Sequence, residues 1–132
     1  EPLKDMKLTS LKCGNTQVSD LSPLKDMELT SLCCQSTAVS DLSPLRHMKL
    51  TFLECHYSQV SDLSPLKDMK LAGLVFSHTP VSDLSPLKGM PLTTLSCDFH
   101  PWRDTELLRS IPTLTLINDK PAADFWKEVD GK

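Results

Sequence analysis

The sequence predicts an α/β solenoid, a stack of short repeats that ends in a helical cap. First, a block of the form LTSLxCxxTxVSDLSPLKDMx returns every 21 residues, starting at Leu8, Leu29, Leu50, Leu71 and Leu92. Second, each block combines a strand-like stretch with a helix-start signal. Third, the period breaks after residue 97 and helical patterning follows. Such a strict period indicates a solenoid, because no unit can bury its apolar side without its neighbours.

The first half of each block predicts a short strand. In the first unit the spacing Leu-x-x-Leu-x-Cys alternates at its end, so Leu11 and Cys13 are expected to face inward. Thr16 follows where the chain turns. Its hydroxyl is predicted to bond backbone groups that the turn leaves without partners.

The second half of each block predicts one helical turn on the opposite side. Ser22 followed by Pro23 is a helix start, with Ser as N-cap and Pro at the first helical position. The next strand begins only a few residues later, so a single turn of α-helix or 3₁₀ helix fits. The preceding Asp20 recurs in each unit and is interpreted as a turn residue that accepts bonds from its own backbone. A catalytic carboxylate pair would instead need two acids with different acidities in one cleft.

The cysteines predict a buried column of reduced thiols. The chain has 5 cysteines, an odd number, which argues against a disulfide framework. Four of them share one position of the repeat, where the fourth unit has Phe76: Cys13, Cys34, Cys55 and Cys97. Such a position is apolar and interior. A single-file column does not converge on one point as zinc ligands must, so no metal and no cofactor is predicted.

The composition limits the classes of binding partner and the cellular compartment that are expected for this protein. The net charge is −3 and the charges are mixed in sign, so nucleic acid is not an expected partner. No apolar run approaches the roughly 18 residues of a membrane span, so no membrane association is expected. The reduced cysteines and the lack of a signal peptide predict a cytoplasmic protein.

The sequence divides into two predicted regions. Residues 1–97 hold five repeats, preceded by the truncated end of another repeat. Because the chain begins inside a repeat, an apolar end and a bare strand edge are expected at Leu3, Met6, Leu8, Leu11 and Cys13. Further repeats or another domain are therefore expected before Glu1, or else a homodimer that forms through this N-terminal edge.

Residues 98–132 are predicted to form the C-terminal cap that a solenoid needs to cover its last apolar layer. A helix is expected over residues 103–110, with Leu107 and Leu108 facing the stack. The spacing Ile-x-x-Leu-x-Leu, from Ile111 to Leu116, predicts a sixth strand.

The end of the cap is predicted to be a turn and a closing helix. Residues 118–121 read as a turn with a helix start, and residues 122–129 as the closing helix. This helix has three apolar residues on one side: Phe125, Trp126 and Val129.

These units resemble the leucine-rich repeat family. The match is to the frame L-x-x-L-x-L-x-x-N-x-L, with Cys in the third apolar position and Thr in place of Asn. The Val-x-Asp-Leu-x-Pro-Leu tail resembles the short bacterial class found in internalins and in related intracellular phosphatase-regulator repeats. The resemblance extends from Leu3 to about Cys97. It implies a curved stack whose parallel sheet lines the concave side.

A second resemblance concerns the context of the repeats. Similar Cys- and Thr-bearing repeats that end in a segment like residues 121–128 occur in large bacterial proteins, some of which carry a serine/threonine kinase domain. This likeness implies that the repeats belong to a larger bacterial protein.

The units differ mainly at the outward positions on and beside the strand. The sequence Val-Ser-Asp-Leu-Ser-Pro-Leu on the opposite side appears four times without change. A solvated face without a function drifts among polar residues, yet these positions include Phe52, Tyr57, Val75 and Phe99. Aromatic anchors supply much of the binding energy of interfaces. The alternative is that these side chains pack on one another as ordinary cross-strand pairs.

The variable positions predict a module that binds a protein or peptide on the concave face, as the ligand-binding or regulatory part of a larger bacterial protein. The predicted contact residues are Phe52, Glu54, His56, Tyr57, Val75, His78, Ser96 and Phe99. Two alternatives are a structural solenoid that self-associates through its N-terminal end, and a diversified binder built on this scaffold.

An enzyme is not predicted. Cys33, Glu54, His56 and His78 fall on the same side and include zinc-ligand and nucleophile types. Their spread along and across the strands is expected to be too wide for one metal ion. An oxyanion hole, a phosphate-binding glycine loop and an orienting third residue are also missing from the sequence.

Overall fold

The sheet of the solenoid has seven strands in chain order. The computed structural model describes residues 10–17, 19–24, 27–46, 48–67 and 69–131. The strands are β1 (Ser10–Lys12), β2 (Ser31–Cys33), β3 (Phe52–Glu54), β4 (Gly73–Val75), β5 (Thr94–Ser96), β6 (Leu116–Ile117) and β7 (Lys120–Pro121). Strands β1 to β6 are parallel, and β7 is antiparallel to β6. The predicted parallel solenoid sheet is confirmed.

The opposite side of each unit is a single turn of 3₁₀ helix, as the short spacing predicts. The four helices are Ser22–Leu24, Ser43–Leu45, Ser64–Leu66 and Ser85–Leu87. Pro lies inside the first turn, where its missing N–H is no loss.

The predicted Ser cap of these helices is wrong. Ser43 is already the first helical residue, and Leu42 at the capping position makes no side-chain cap bond. The aspartate two residues before each Ser takes this role. Oδ1 of Asp41 accepts the Ser43 N–H at 2.9 Å, and Asp20, Asp62 and Asp83 make the same bond in their units. This bond confirms that the aspartates are turn residues.

The aspartate bonds give stability a defined dependence on acid. The backbone N–H of Ser43 holds the pKa of Asp41 below its ordinary 3.8, and the other three aspartates shift in the same way. The folded state therefore binds these protons less readily than the unfolded state. The resulting stabilisation is complete above pH 3.8 and is lost as pH falls through the lower folded value. Asp41→Asn keeps an accepting oxygen but cannot titrate, so its unfolding free energy should fall less steeply in acid, as urea titrations would measure. Identical slopes for both proteins would contradict this assignment.

The core lies between the sheet and the 3₁₀ helices and is built from the same positions in every unit. Leu53, Cys55, Leu63 and Leu66 of the third unit are buried, and so are their equivalents in the second and fourth units. The hydroxyl of Thr37 donates to the Cys34 carbonyl oxygen at 2.7 Å, and Thr16, Ser58 and Thr79 repeat this bond. The predicted hydroxyl–backbone bonds are confirmed.

The sixth strand is present but is centred three residues later than predicted. Ile117, not Leu114, pairs with Leu95, and Leu116 points outward with 39% exposure. The separation from Leu95 to Ile117 is one residue longer than the repeat period. Helix α1 (Pro101–Arg109) replaces the 3₁₀ turn in this unit, and its extra length delays the strand.

The closing part of the cap contains a hairpin where the sequence pattern predicts a turn and a helix start. Asn118 and Asp119 both have positive φ, 52° and 67°, and form a two-residue turn between β6 and β7. Helix α2 (Ala122–Asp130) follows and packs Phe125 onto the stack. The division at residue 97 stays a prediction. Of the residues in the predicted bare N-terminal end, 3, 6 and 8 lie outside the described residues, whereas Leu11 and Cys13 are half-buried against the core. Within the described ranges, no helix is long and apolar enough to cross a membrane.

Candidate functional site

The outward side chains of β1 to β5, together with the second and third residues after each of β1 to β4, form one surface, which we call the strand face. Strand register places equivalent residues side by side: Phe52 beside Gly73, and Cys33 beside Glu54. Val75 lies next to Glu54 on one side and next to Ser96 on the other. The strand face therefore brings together four of the predicted contact residues on β3 to β5.

Phe52 lies across the neighbouring strand. A Cβ added at Gly73 would come within 2.6 Å of Phe52 Cδ1. Glycine at position 73 thus provides the room in which the ring rests against the β4 backbone. The ring remains partly exposed in this position, so it offers an apolar surface at the middle of the strand face.

Glu54 is the centre of a small polar group. Its Oε1 lies 3.5 Å from Sγ of Cys33, which donates to it. Its Oε2 lies 3.4 Å from Nδ1 of His56. That separation is close enough for an ionic contact, but among the described residues the buried Nδ1 has no aligned hydrogen-bond partner. The carboxylate is 28% exposed and can still meet a donor from outside.

Tyr57 and His78 form an aromatic stack across two units. Their ring centroids lie 4.4 Å apart and the planes are within 8° of parallel. His56 contacts the other edge of Tyr57 at 5.6 Å between centroids. The cross-strand packing named as the alternative interpretation therefore exists, yet Tyr57 remains 55% exposed. More than half of the ring surface is therefore accessible to solvent.

The third residue after each of β1 to β4 has a left-handed backbone. Positive φ values of 59°, 55°, 58° and 58° occur at Asn15, Ser36, Tyr57 and His78. The conformation repeats because the repeat geometry requires it. Asn accepts this region readily, whereas a bulky side chain such as Tyr is strained in it. Backbone strain at an exposed residue is a reason to suspect function.

Phe99 differs from the prediction in its placement. Its ring packs edge-to-face on Phe125 and Trp126 of α2, with centroids 4.9 and 6.0 Å apart. It also lacks the positive φ of its equivalents. The break of the repeat after Cys97 turns this side chain into the cap, away from the Tyr57–His78 stack.

The cysteines are free thiols held in their protonated form. All five are free. Burial raises the pKa of Cys34 and of Cys97 to about 12, and it also raises the pKa of Cys55. Burial and the neighbouring Glu54 raise the pKa of Cys33. Among the described residues, no group of three or more His, Cys, Asp or Glu is arranged to hold a metal ion.

These pKa shifts predict slow alkylation of the folded protein. With a pKa of about 12, only about one Cys34 thiol in ten thousand is a thiolate at pH 8. Iodoacetamide should leave Cys34, Cys55 and Cys97 unmodified in the folded chain and modify all five cysteines in denaturant, as mass spectrometry would measure. Rapid native labelling of Cys55 would contradict its burial.

Two contributors to the strand face were not predicted. Gly73 supports Phe52, and Asp98 accepts the His78 N–H through Oδ2 at 2.8 Å. The first could have been found by noting a glycine beside an aromatic residue one period away. The second depends on the break of the fifth unit, which periodicity does not describe.

The comparisons with known proteins identify the fold. No protein-family model matches the chain, and no curated protein gives a significant match. Internalin C2 from Listeria monocytogenes is similar with a TM-score of 0.70 and 29% identity, over 74% of this chain and 45% of the internalin. The chain has the internalin-like leucine-rich repeat fold.

A second internalin (inlF) from Listeria monocytogenes is similar with a TM-score of 0.75 and 22% identity, over 88% of this chain and 43% of that one. The predicted resemblance to the internalin class is confirmed. The chain spans less than half the length of either internalin. The likeness to kinase-bearing repeat regions stays a prediction.

Proposed function

We propose that this internalin-like chain is a protein-recognition module that binds a protein or peptide on its strand face. In this proposal it is the ligand-binding or regulatory part of a larger bacterial protein, works in the reducing cytoplasm and catalyses no reaction. The general class is supported by the leucine-rich repeat fold, since solenoids use their sheet surface for binding.

The observation that carries the proposal is the state of Tyr57. Its ring is 55% exposed and its backbone is left-handed. Neither feature stabilises the folded state. A left-handed residue other than Gly or Asn costs about 1–2 kcal/mol, whereas an aromatic stack returns only about 0.5–1.5 kcal/mol. Stability alone gives no reason for a Tyr here. A binding role does, because Tyr is among the residues that dominate interface energy.

The surroundings of Tyr57 resemble the centre of an interface. Apolar surface from Phe52 and Val75 lies beside the partly exposed carboxylate of Glu54. Interface centres combine aromatic and apolar anchors with a few polar groups that fix orientation. Because Tyr57 is held between His56 and His78, little side-chain entropy remains to be lost on binding.

Catalysis is left out of the proposal on chemical grounds. The side chain near the strand face with the strongest potential as a nucleophile is Cys33, but its raised pKa keeps it a neutral thiol. Nucleophilic cysteines need the opposite shift. Oε1 of Glu54 accepts a hydrogen bond from the Cys33 thiol. It therefore does not lie beside a hydroxyl group that it could activate as a general base.

A paired capture experiment tests the proposal. One bait is this chain, and the other carries Phe52→Ser, Tyr57→Asn and Val75→Ser. Each new residue already occurs at the same position of another unit, in Ser31, Asn15 and Ser96, so the fold should tolerate it. Lysate proteins held by each bait are compared by mass spectrometry, after circular dichroism has shown that both baits are folded.

The proposal expects at least one protein on the first bait that is absent from the second. Equal capture by both baits would contradict the strand face as the site. Capture of only additional copies of the bait by both would instead favour the self-associating solenoid, a state that light scattering measures directly.

A further inference from the structure

A second surface, away from the strand face, carries a concentration of positive charge. An open groove of about 640 Å³ lies between the second and third 3₁₀ helices and the strands that follow them. Its cationic lining is Arg46 and Lys49 from one segment and Lys67 and Lys70 from the next. The largely buried Met48 and Met69 form its apolar floor. We call this surface the basic groove.

The position of Arg46 and Lys67 is also basic in the two flanking units, as Lys25 and Lys88, whereas the second cationic position is local. The position of Lys49 and Lys70 holds Glu28 in the unit before and Pro91 in the unit after. A smaller neighbouring groove of about 410 Å³ is lined by Glu28 opposite Lys49, so its charge is mixed. Four cations therefore converge at one place on a chain whose net charge is −3.

The cations of the basic groove are available to a ligand. None of the four forms an ion pair within 4.0 Å with a carboxylate of another described residue. Arg46 helps to lower the pKa of two nearby acids, Asp41 and Asp62, but Oδ1 of each already accepts a backbone N–H at 2.9 Å, from Ser43 and Ser64. His47 and Asp68 belong to the same two segments and lie outside the described residues.

We propose that the basic groove binds an acidic segment of a partner protein, in which Asp or Glu alternates with apolar residues. Carboxylates would pair with the four cations from two successive units. The apolar side chains between them would lie on the methionine floor, since Met adapts to varied shapes. A small inorganic anion would use only part of this groove and would gain nothing from its floor.

A nucleic acid fits the basic groove less well. Single strands bind through aromatic side chains that stack on bases, and none of the described residues that line this groove is aromatic.

Fluorescence anisotropy with defined probes tests this inference. The acidic probe is a fluorescein-labelled dodecapeptide of alternating Glu and Leu. Oligothymidine of the same length and a Lys–Leu peptide serve as comparison probes. The test variant is Lys49→Gln with Lys70→Gln. The control is Lys12→Gln with Lys127→Gln, which removes the same charge from the strand face and from α2.

The inference expects the acidic peptide to bind the native chain, more weakly as salt rises, and about tenfold more weakly to the groove variant. The control variant should bind within about twofold of the native chain. No binding of the acidic peptide, equal weakening by the control variant, or tighter binding of either comparison probe would overturn it. Failure here leaves the strand-face proposal untouched, because the two surfaces share no residue.

Discussion

Replacing Asp104 with alanine is expected to lower the free energy of unfolding by about 3 kcal/mol, measured by urea denaturation. Asp104 is 1% exposed, and its Oδ1 and Oδ2 accept from Nε and a terminal nitrogen of Arg103 at 2.6 and 2.9 Å. Oδ2 also accepts the His100 N–H at 3.0 Å, which ties down the start of α1. Alanine would remove the acceptor of the His100 N–H and of the Arg103 guanidinium. Leaving buried polar groups without a hydrogen-bond partner lowers the free energy of unfolding.

An exposed ion pair on the same cap provides the control. Asp130 accepts from Arg109 at 2.6 Å, and its side chain is 62% exposed. Asp130→Ala should change the free energy of unfolding by no more than about 1 kcal/mol, because water screens exposed pairs. Equal losses from the two substitutions would contradict the anchoring role of Asp104.

Replacing Tyr57 with asparagine is expected to weaken partner binding by at least about 2 kcal/mol, which is about thirtyfold. The free energy of unfolding should change by less than about 1 kcal/mol, because relief of the left-handed strain offsets the lost stack with His78. Isothermal titration with the captured partner and urea denaturation measure the two effects separately. Loss of binding without loss of stability would distinguish a contact residue from a structural one.

The matched control for Tyr57 is Ser36→Asn. Ser36 occupies the same left-handed position one unit earlier, with φ 55°, and is exposed. The substitution creates the same new residue without removing an aromatic ring, so binding should be unchanged. If the two variants bind the partner equally well, Tyr57 is not an anchor.

The repeat architecture could be predicted because the same few residues solve the same packing problem in every unit. The Leu53 and Cys55 positions alternate inward, and Pro in the 3₁₀ turn fixes where the chain leaves the core. The error at the turn was one of assignment between two residues that both make good caps. The Ser-Pro pattern favours Ser43 as the cap, although the Asp41 carboxylate makes the bond.

The cap was harder to predict because periodicity ends there. The pattern Ile-x-x-Leu-x-Leu places Leu114 at the centre of the strand, whereas Ile117 occupies that position after α1. The hairpin at Asn118 and Asp119 depends on left-handed backbone at both residues. An Asn-Asp pair followed by Lys-Pro does not specify that conformation by itself.

The strand face could be located from the sequence but its internal contacts could not. Variation between units marked Phe52, Tyr57 and His78, and the structure brings Tyr57 and His78 into a stack. Phe99 had the same sequence signal, yet it packs on Phe125. The difference arises because α1 replaces the 3₁₀ turn after residue 97. A comparison of equivalent positions in successive units does not reveal this replacement.

The most direct test of the central claim is hydroxyl-radical footprinting of the chain with and without its captured partner. Protein recognition on the strand face predicts that the partner protects Phe52, Tyr57 and His78 from oxidation. Trp126 in the cap should be oxidised equally in both samples. Protection confined to the cap or to the basic groove, with Tyr57 still fully reactive, would contradict the claim.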